Sequence, residues 1–346
     1  MIEMPMVEGL AADVADQPAA FERLARAYGP GGTDAERLAA AARHLAGRTV
    51  ALVGSGASHA ACVAAAASWR LVGLAVEAPE AGEFLHYDPR LDDPGLGVVV
   101  VTYSGQSAEA VAIAARRHDA RAPTILVTEG TDSSLATSCA LALPLHCGVE
   151  RATATKSFTN TLGLLLRLGD AVAARGEPNR LEVIARAMTP TMAAVDGAVA
   201  PWVEAFIAAP GPLDIVGRGP GFGTALFGGL VLRELLGWRA GWMTAGHFRH
   251  GPLLDVGSGH RLIITAGRRA LELSLGLARD AAARGASVLL IADGNAATAP
   301  GIVPIPIHAP DEGAFAILAA LPCEATMARA ARTVGTRYVR VQATRE

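Results

Sequence analysis

A strongly apolar strand that ends in a run of hydroxyl side chains most constrains the fold of this chain. Residues Gly97–Val101 are apolar and mostly β-branched, which is typical of a strand buried on both faces of a parallel sheet. The polar turn Thr102–Ser107 follows, and the helix-forming segment Ala108–Ala115 comes directly after it. The sequence therefore predicts a strand, a turn and a helix in the manner of an α/β protein.

The turn Thr102–Ser107 is a candidate anion-binding site. The first N–H groups of a helix have no partner within the helix, and the positive end of the helix dipole lies beside them. Thr102, Ser104 and Ser107 add hydroxyl donors within reach of the same place. The alternative is that these hydroxyls only cap the helix, which is a common role for Ser and Thr.

The same plan of strand, small-residue turn and helix recurs along the chain. Strand Thr49–Gly54 leads into the turn Ser55–His59, and strand Leu213–Gly217 leads into the glycine-rich turn Arg218–Gly223. This recurrence indicates an internal duplication with a period of roughly 160 residues. We therefore expect an α/β fold with two tandem domains, each a parallel five-stranded sheet flanked by helices.

The predicted organisation has five parts: a helical segment at 1–30, a first domain at 31–178, a linking helix at 179–200, a second domain at 201–334 and a short tail at 335–346. Within this frame, Pro18 is predicted to interrupt the first helix, because proline removes a helical hydrogen bond. A single helix is predicted over Gly313–Val334.

Composition argues against several classes of function. The formal net charge of -3 gives no electrostatic case for binding nucleic acid or an anionic membrane. No uninterrupted apolar run reaches the ~18 residues of a membrane span, and the acidic start has no signal-peptide pattern. The four cysteines are widely spaced, and neither glycine turn completes a dinucleotide fingerprint. We expect a cytoplasmic protein with no cofactor and no metal.

Six short motifs, in order and at similar spacing, resemble the tandem SIS-domain phosphosugar isomerase family. The resemblance is to the isomerase half of glucosamine-6-phosphate synthase, without its glutaminase domain, and it covers nearly the whole chain. The matching motifs are Ser55–Ser58, Thr102–Ser107, Thr153–Lys156, Gly217–Gly219, Leu230–Glu234 and Ala245–Pro252.

The resemblance implies roles for individual residues. Glu234 falls on the general base that moves a proton between C1 and C2 of the sugar, and His250 on the histidine that assists ring opening across a homodimer interface. A carboxylate and a histidine suit these two tasks. The residues that would bind the sugar and its phosphate are Ser55, Gly56, Ala57, Ser58, Thr102, Tyr103, Ser104, Gly105, Gln106, Ser107, Ala152, Ala154 and Arg340.

Two further expectations concern the surroundings of Glu234. Its carboxylate should lie in a partly desolvated cleft. The apolar, tryptophan-bearing segment Leu235–Trp242 would suit a buried interface between two copies of the chain.

The chain also departs from the family pattern. Phe227, Val231 and His247 stand where the family has charged residues, and no lysine follows Lys156. The lysine of the family's tail falls near Arg340, and arginine is a poor nucleophile because it stays protonated. Two hypotheses remain open: an isomerase or deaminase of a phosphorylated sugar or amino sugar, and a sugar-phosphate-binding sensor or regulator with little or no catalysis.

Overall fold

A computed structural model describes residues 4–176, 179–296 and 298–337. The strands are β1 (Val50–Gly54), β2 (Val76–Glu77), β3 (Gly97–Val101), β4 (Thr124–Thr128), β5 (Leu141–Pro144), β6 (Leu213–Gly217), β7 (Ala240–Thr244), β8 (Arg261–Ala266), β9 (Ser287–Asp293) and β10 (Ile302–Ile307). The helices are α1 (Met4–Tyr28), α2 (Ala35–Leu45), α3 (Gly56–Leu71), α4 (Ala81–Tyr87), α5 (Ala108–Asp119), α6 (Ser134–Ser138), α7 (Lys156–Val172), α8 (Arg180–Ala208), α9 (Pro220–Leu236), α10 (Ala245–Arg249), α11 (Leu271–Ala283), α12 (Glu312–Leu318) and α13 (Ala320–Val334).

The chain forms two compact units, and neither is continuous in sequence. The first unit contains Ala19–Val149 and Lys156–Ala185. The second contains the chain up to Pro18, the short segment Glu150–Thr155, and the described chain from Arg186 onward. The first half of α1 and the segment Glu150–Thr155 thus belong to the unit that is otherwise built from the second half of the sequence.

The first unit is built on a parallel sheet with the strand order β2-β1-β3-β4-β5. All residues of β1, β3 and β4 are buried, as expected for inner strands of a sheet covered on both faces. β1 leads through α3 to β2 on one side, whereas β3 leads through α5 to β4 on the other. The chain therefore leaves β1 and β3 in opposite directions, which opens a crevice at the carboxyl ends of these two strands.

The second unit repeats this topology. Its strands run β10-β9-β8-β6-β7, and all neighbours are parallel. If β6 to β10 are numbered 1 to 5 within their unit, their order is 5-4-3-1-2. This is the order of the first sheet, 2-1-3-4-5, read from the opposite edge. The predicted α/β fold with two parallel five-stranded sheets is confirmed, and the shared strand order supports the internal duplication.

Strand β7 was not predicted, because the interpretation of Leu235–Trp242 as an intermolecular interface left no strand there. In the structure, Ala240–Thr244 pairs with β6 as an edge strand. Trp242 packs on α9, where a Cβ added to Gly229 would lie 2.5 Å from the indole. The guanidinium of Arg233 lies 4.8 Å from the centre of the same ring. Trp242 therefore already packs within its own unit, and the homodimer stays a prediction.

Two helix predictions were wrong at proline residues. α1 continues through Pro18, and its neighbours Gln17 and Phe21 are fully buried, so tertiary packing compensates for the lost hydrogen bond. The helix predicted over Gly313–Val334 is two helices, α12 and α13. Pro322, which cannot donate a backbone hydrogen bond, lies in the first turn of α13, where the missing N–H causes no loss.

Two helical stretches are long and apolar enough to span a membrane by length and composition alone, Arg180–Ala208 and Glu312–Val334. In the second stretch, 89% of the apolar window is buried within the protein, as in a core helix, against 28% in the first. The expectation that the protein has no membrane partner stays a prediction.

Candidate functional site

The carboxyl ends of β1 and β3 bring two of the predicted binding segments to one edge of the first sheet. Gly54, the last residue of β1, pairs in register with Val101, the last residue of β3. A Cβ added to Gly54 would lie 3.0 Å from Cβ of Ser58 and 3.1 Å from the carbonyl oxygen of Val101. Glycine at this position therefore lets the start of α3 pack close to the end of β3. Ser55–Ser58 and Thr102–Ser107 begin side by side at this crevice.

The turn Thr102–Ser107 is closed by its own side chains. The hydroxyls of Thr102 and Ser107 lie 2.9 Å apart, and Thr102 is only 4% exposed. The Ser104 hydroxyl accepts a hydrogen bond of 3.2 Å from the backbone N–H of Gln106. Ser107 makes no capping hydrogen bond to α5. The geometry does not support the alternative that this hydroxyl only caps the helix.

Gly105 holds the turn against the loop that precedes α6. Its φ of +66° lies in the left-handed region that favours glycine. A Cβ added there would lie 2.5 Å from the Ser133 hydroxyl and 3.0 Å from the carbonyl oxygen of Gly130. A side chain at this position would therefore force the turn away from its neighbour.

Ser55 contacts a carboxylate that sequence reasoning missed. Its hydroxyl donates a hydrogen bond of 2.7 Å to Glu80, which also accepts from the backbone N–H groups of Gly82 and Glu83 at the start of α4. Burial raises the pKa of Glu80, but the hydrogen bonds from Ser55 and the two backbone groups outweigh it, and the pKa lies below its usual value. Glu80 is therefore ionised at neutral pH and can accept hydrogen bonds from sugar hydroxyls.

Tyr103 anchors the turn to the neighbouring strand end. Its hydroxyl donates to the carbonyl oxygen of Gly148 at 3.0 Å. Its own carbonyl oxygen accepts from the Thr128 hydroxyl at 3.2 Å and from the backbone N–H of Glu129 at 3.1 Å. The Glu129 carboxylate in turn accepts from the backbone N–H groups of Cys147 and Gly148. These contacts fix the backbone of the turn, and no sequence pattern indicated Glu129.

In the second unit, Glu234 lies in the last turn of α9 and is exposed. The expectation of a partly desolvated carboxylate is wrong for this chain, because the last turn of α9 leaves Glu234 at the surface of its unit. Its Oε2 accepts a hydrogen bond of 2.7 Å from the Thr153 hydroxyl. Thr153 stands between Ala152 and Ala154 in the sequence. Its hydrogen bond therefore brings Glu234 next to two other predicted site residues, Ala152 and Ala154.

Two acids, the buried Asp13 and the partly buried Glu150, hold the segment Glu150–Thr155. Asp13, on α1, is fully buried and accepts from the backbone N–H groups of Arg151 and Ala152 at 2.5 and 3.2 Å. At the other end of the segment, Glu150 accepts from the backbone N–H and the hydroxyl of Thr155 at 2.7 and 3.0 Å. The segment is therefore fixed on both sides of Thr153.

A second buried acid, Glu324 on α13, lies near Glu150. It accepts a hydrogen bond from the side-chain amide of Gln17 and is fully buried. Burial raises the pKa of Glu324 well above its usual value, and the charge of Glu150 raises it further. The Glu324 side chain is therefore held largely in its neutral form.

His250 follows α10 and is exposed. Its side chain makes no hydrogen bond or ion pair within the described chain, so the structure does not join it to Glu234. The predicted role of His250 across a dimer interface stays a prediction. Arg340 lies outside the described residues.

Lys156 is only 2% exposed. The sequence did not indicate that this lysine is buried.

The matching strand end of the second sheet carries a carboxylate instead of hydroxyls. After β8, the backbone N–H of Arg269 donates a hydrogen bond of 2.6 Å to Glu312 at the start of α12. A side chain on Gly267 would collide with the same carboxylate. A negative charge at this place disfavours a bound anion, so the end of β8 does not offer a second phosphate site of the kind proposed for the first sheet. Within residues 4–176, 179–296 and 298–337, no group of three or more His, Cys, Asp or Glu side chains could hold a metal ion.

Comparisons with known proteins agree with this architecture. Residues 46–169 match the SIS domain. Glutamine–fructose-6-phosphate aminotransferase (isomerizing) of Zymomonas mobilis is 32% identical over 237 residues, which are 65% of this chain and 38% of that protein. The chain thus spans well under half the length of this relative.

Solved structures share the fold across nearly the whole chain. The C-terminal domain of glucosamine-fructose-6-phosphate aminotransferase from Francisella tularensis superposes with a TM-score of 0.84 at 19% identity, covering 95% of this chain and 96% of that one. Glucosamine-6-phosphate deaminase from Thermotoga maritima gives a TM-score of 0.78 at 19% identity, with the same coverage of both chains. The chain therefore carries a SIS domain at residues 46–169 and shares the fold of these solved structures across nearly its whole length.

Proposed function

We propose that the protein binds a phosphorylated sugar or amino sugar and catalyses its isomerisation or deamination through proton transfer between C1 and C2. The observation that carries the proposal is the crevice between β1 and β3, where the hydroxyls of Thr102 and Ser107 lie 2.9 Å apart at the start of α5. Hydroxyls at a helix N-terminus suit the phosphate group of such a substrate.

In this proposal, the turn Thr102–Ser107 binds the phosphate, and Ser55–Ser58 bind the neighbouring sugar oxygens together with Ala152 and Ala154. Glu234 takes the proton from one carbon and returns it to the next, which is the role of a general base in an enediol mechanism. An exposed carboxylate at the surface of its unit is accessible to a substrate. His250 assists ring opening from a second copy of the chain, and Arg340 contacts the substrate's oxygens.

The second candidate is a sugar-phosphate-binding sensor or regulator without catalysis. One observation favours it: Arg340 stands near the position of the family's tail lysine, and an arginine stays protonated and is a poor nucleophile for forming an imine with the substrate's carbonyl group. An enediol mechanism needs no such amine, and this is why we place the isomerase or deaminase first.

A ligand screen followed by an activity measurement tests the proposal. Fructose 6-phosphate and glucosamine 6-phosphate should raise the melting temperature of the protein, whereas fructose and glucosamine should not, since the phosphate provides the charge that the turn recognises. Stabilisation together with turnover supports the enzyme. Stabilisation without turnover supports the sensor, and no stabilisation by any sugar phosphate contradicts both.

A homodimer follows from the same proposal, because His250 is assigned to the site of a second copy of the chain. Sedimentation velocity at micromolar concentration should give a species of twice the chain's mass of 35.4 kDa. A monomer at that concentration would contradict the role assigned to His250.

A further inference from the structure

The exposed carboxylate of Glu234 has a single hydrogen-bond partner within the described chain, the hydroxyl of Thr153 at 2.7 Å. The neighbouring Arg233 does not pair with it. The Arg233 guanidinium lies against Trp242 and donates to the carbonyl oxygen of Ala240 at 2.7 Å. A glutamate on the surface of a helix samples several rotamers, so this one hydrogen bond determines where the carboxylate points.

Thr153 is itself held rigidly. It is 3% exposed, and the segment around it is anchored before and after it. Before it, Arg151 and Ala152 donate backbone hydrogen bonds to Asp13, and Arg151 also forms an ion pair of 2.9 Å with Asp13. After it, Thr155 donates twice to Glu150. A donor on such a segment can fix its acceptor, because its own backbone has little freedom to follow the glutamate.

We propose that Thr153 is a positioning residue for the catalytic base. Its hydroxyl holds Oε2 of Glu234, which leaves Oε1 to take the proton from the substrate's carbon. The inference rests on the proposed function, since it assigns Thr153 a role toward Glu234 as a base. The proposed substrate contacts Ala152 and Ala154 are the direct neighbours of Thr153 in the same anchored segment, so one segment would position both the sugar and the base.

Three variants test this role. Thr153→Val keeps the shape of the side chain and removes the donor, whereas Thr153→Ser keeps the donor. Thr326→Val is the matched control. Thr326 lies on α13 in the same unit, is fully buried, and its hydroxyl has no hydrogen-bond partner within the described chain.

The kinetic measurement is the rate of C2 proton exchange in deuterated water, followed over a range of sugar-phosphate concentrations that reaches saturation. Thr153→Val should lower kcat by about tenfold, the effect of losing one hydrogen bond to a charged group, with KM changed by less than about twofold because substrate binding is not lost. Thr153→Ser should restore most of kcat, and Thr326→Val should leave both constants unchanged. Equal kcat values in Thr153→Val and Thr326→Val would overturn the inference, and so would a loss that Ser does not restore.

A second readout needs no turnover. The carboxyl ¹³C resonance of Glu234, assigned through Glu234→Gln, should shift in Thr153→Val and stay in place in Thr153→Ser. An unmoved resonance in Thr153→Val means that the contact is not formed in solution, which overturns the inference even if the enzyme is active. Absence of exchange in the unmutated protein would instead contradict the proposed function, and with it the positioning role, while a moved resonance would still show the contact.

Discussion

The two paired hydroxyls of the turn Thr102–Ser107 predict a non-additive loss of sugar-phosphate affinity when they are removed. A hydrogen bond to a charged group contributes about 2 kcal/mol, and one between neutral groups about 1 kcal/mol. In the free protein, Thr102 and Ser107 bond to each other at 2.9 Å, so a bound phosphate must first break that bond. Ser107→Ala removes one phosphate contact but also the competing bond. The net loss is about 1 kcal/mol, or about fivefold in Kd.

The double variant Thr102→Val with Ser107→Ala removes both phosphate contacts and the single bond between the hydroxyls. Its net loss is about 3 kcal/mol, or about 150-fold in Kd. The two single variants together should account for only about 2 kcal/mol of this, and the difference is the coupling energy of a double-mutant cycle. Isothermal titration calorimetry with fructose 6-phosphate or glucosamine 6-phosphate measures all four affinities.

The control for this cycle is Ser274→Ala. Ser274 is 1% exposed, and its hydroxyl makes no hydrogen bond within the described chain, so its removal should not change Kd. A double variant that binds within about threefold of the unmutated protein would refute the assignment of the turn as a phosphate site. Additive losses would refute the idea that the hydroxyls compete with the ligand for each other.

Two predictions concern stability. Gly105→Ala should destabilise the protein by more than about 1 kcal/mol, because the residue has a positive φ and its Cβ would meet Ser133 and Gly130; urea unfolding measures this, and unchanged stability would contradict the described turn. Because the pKa of Glu324 is raised in the folded protein, its contribution to stability is lost as pH rises above the unfolded pKa of about 4.3, at up to about 1.4 kcal/mol per pH unit. Glu324→Gln should therefore reduce the decline in unfolding free energy as the pH rises above about 4.3, and an unchanged pH profile would mean that Glu324 is already ionised.

The inner strands could be predicted because they depend on local composition, whereas the location of the site stays a prediction. Gly97–Val101 is a strand as predicted, since its uninterrupted run of β-branched residues is suited to an inner strand that is buried on both faces. β7 could not be predicted, because Ala240–Thr244 contains a glycine and few β-branched residues. In the structure, Trp242 on β7 packs against the small residue Gly229 on α9. That packing is a tertiary contact, which the local sequence does not indicate.

The contacts of the candidate site could not be predicted, because they join residues far apart in the chain. Glu80 receives the hydroxyl of Ser55 from 25 residues away, and Glu234 receives that of Thr153 from 81 residues away. Neither acid lies in a motif that indicates its partner. The motif match indicated a role for Glu234 but not its exposure, which depends on how α9 ends and on what covers its last turn.

The most direct test of the central claim is deuterium incorporation at C2 of a bound sugar phosphate, followed by ¹H NMR in deuterated water for the unmutated protein and for Glu234→Gln. Gln keeps the size of the side chain and removes the base, so exchange should fall by about 10²–10⁴-fold while the sugar phosphate still raises the melting temperature. Exchange that survives in Glu234→Gln would show that another group is the base. Binding without any exchange in the unmutated protein would contradict catalysis and leave a sugar-phosphate sensor.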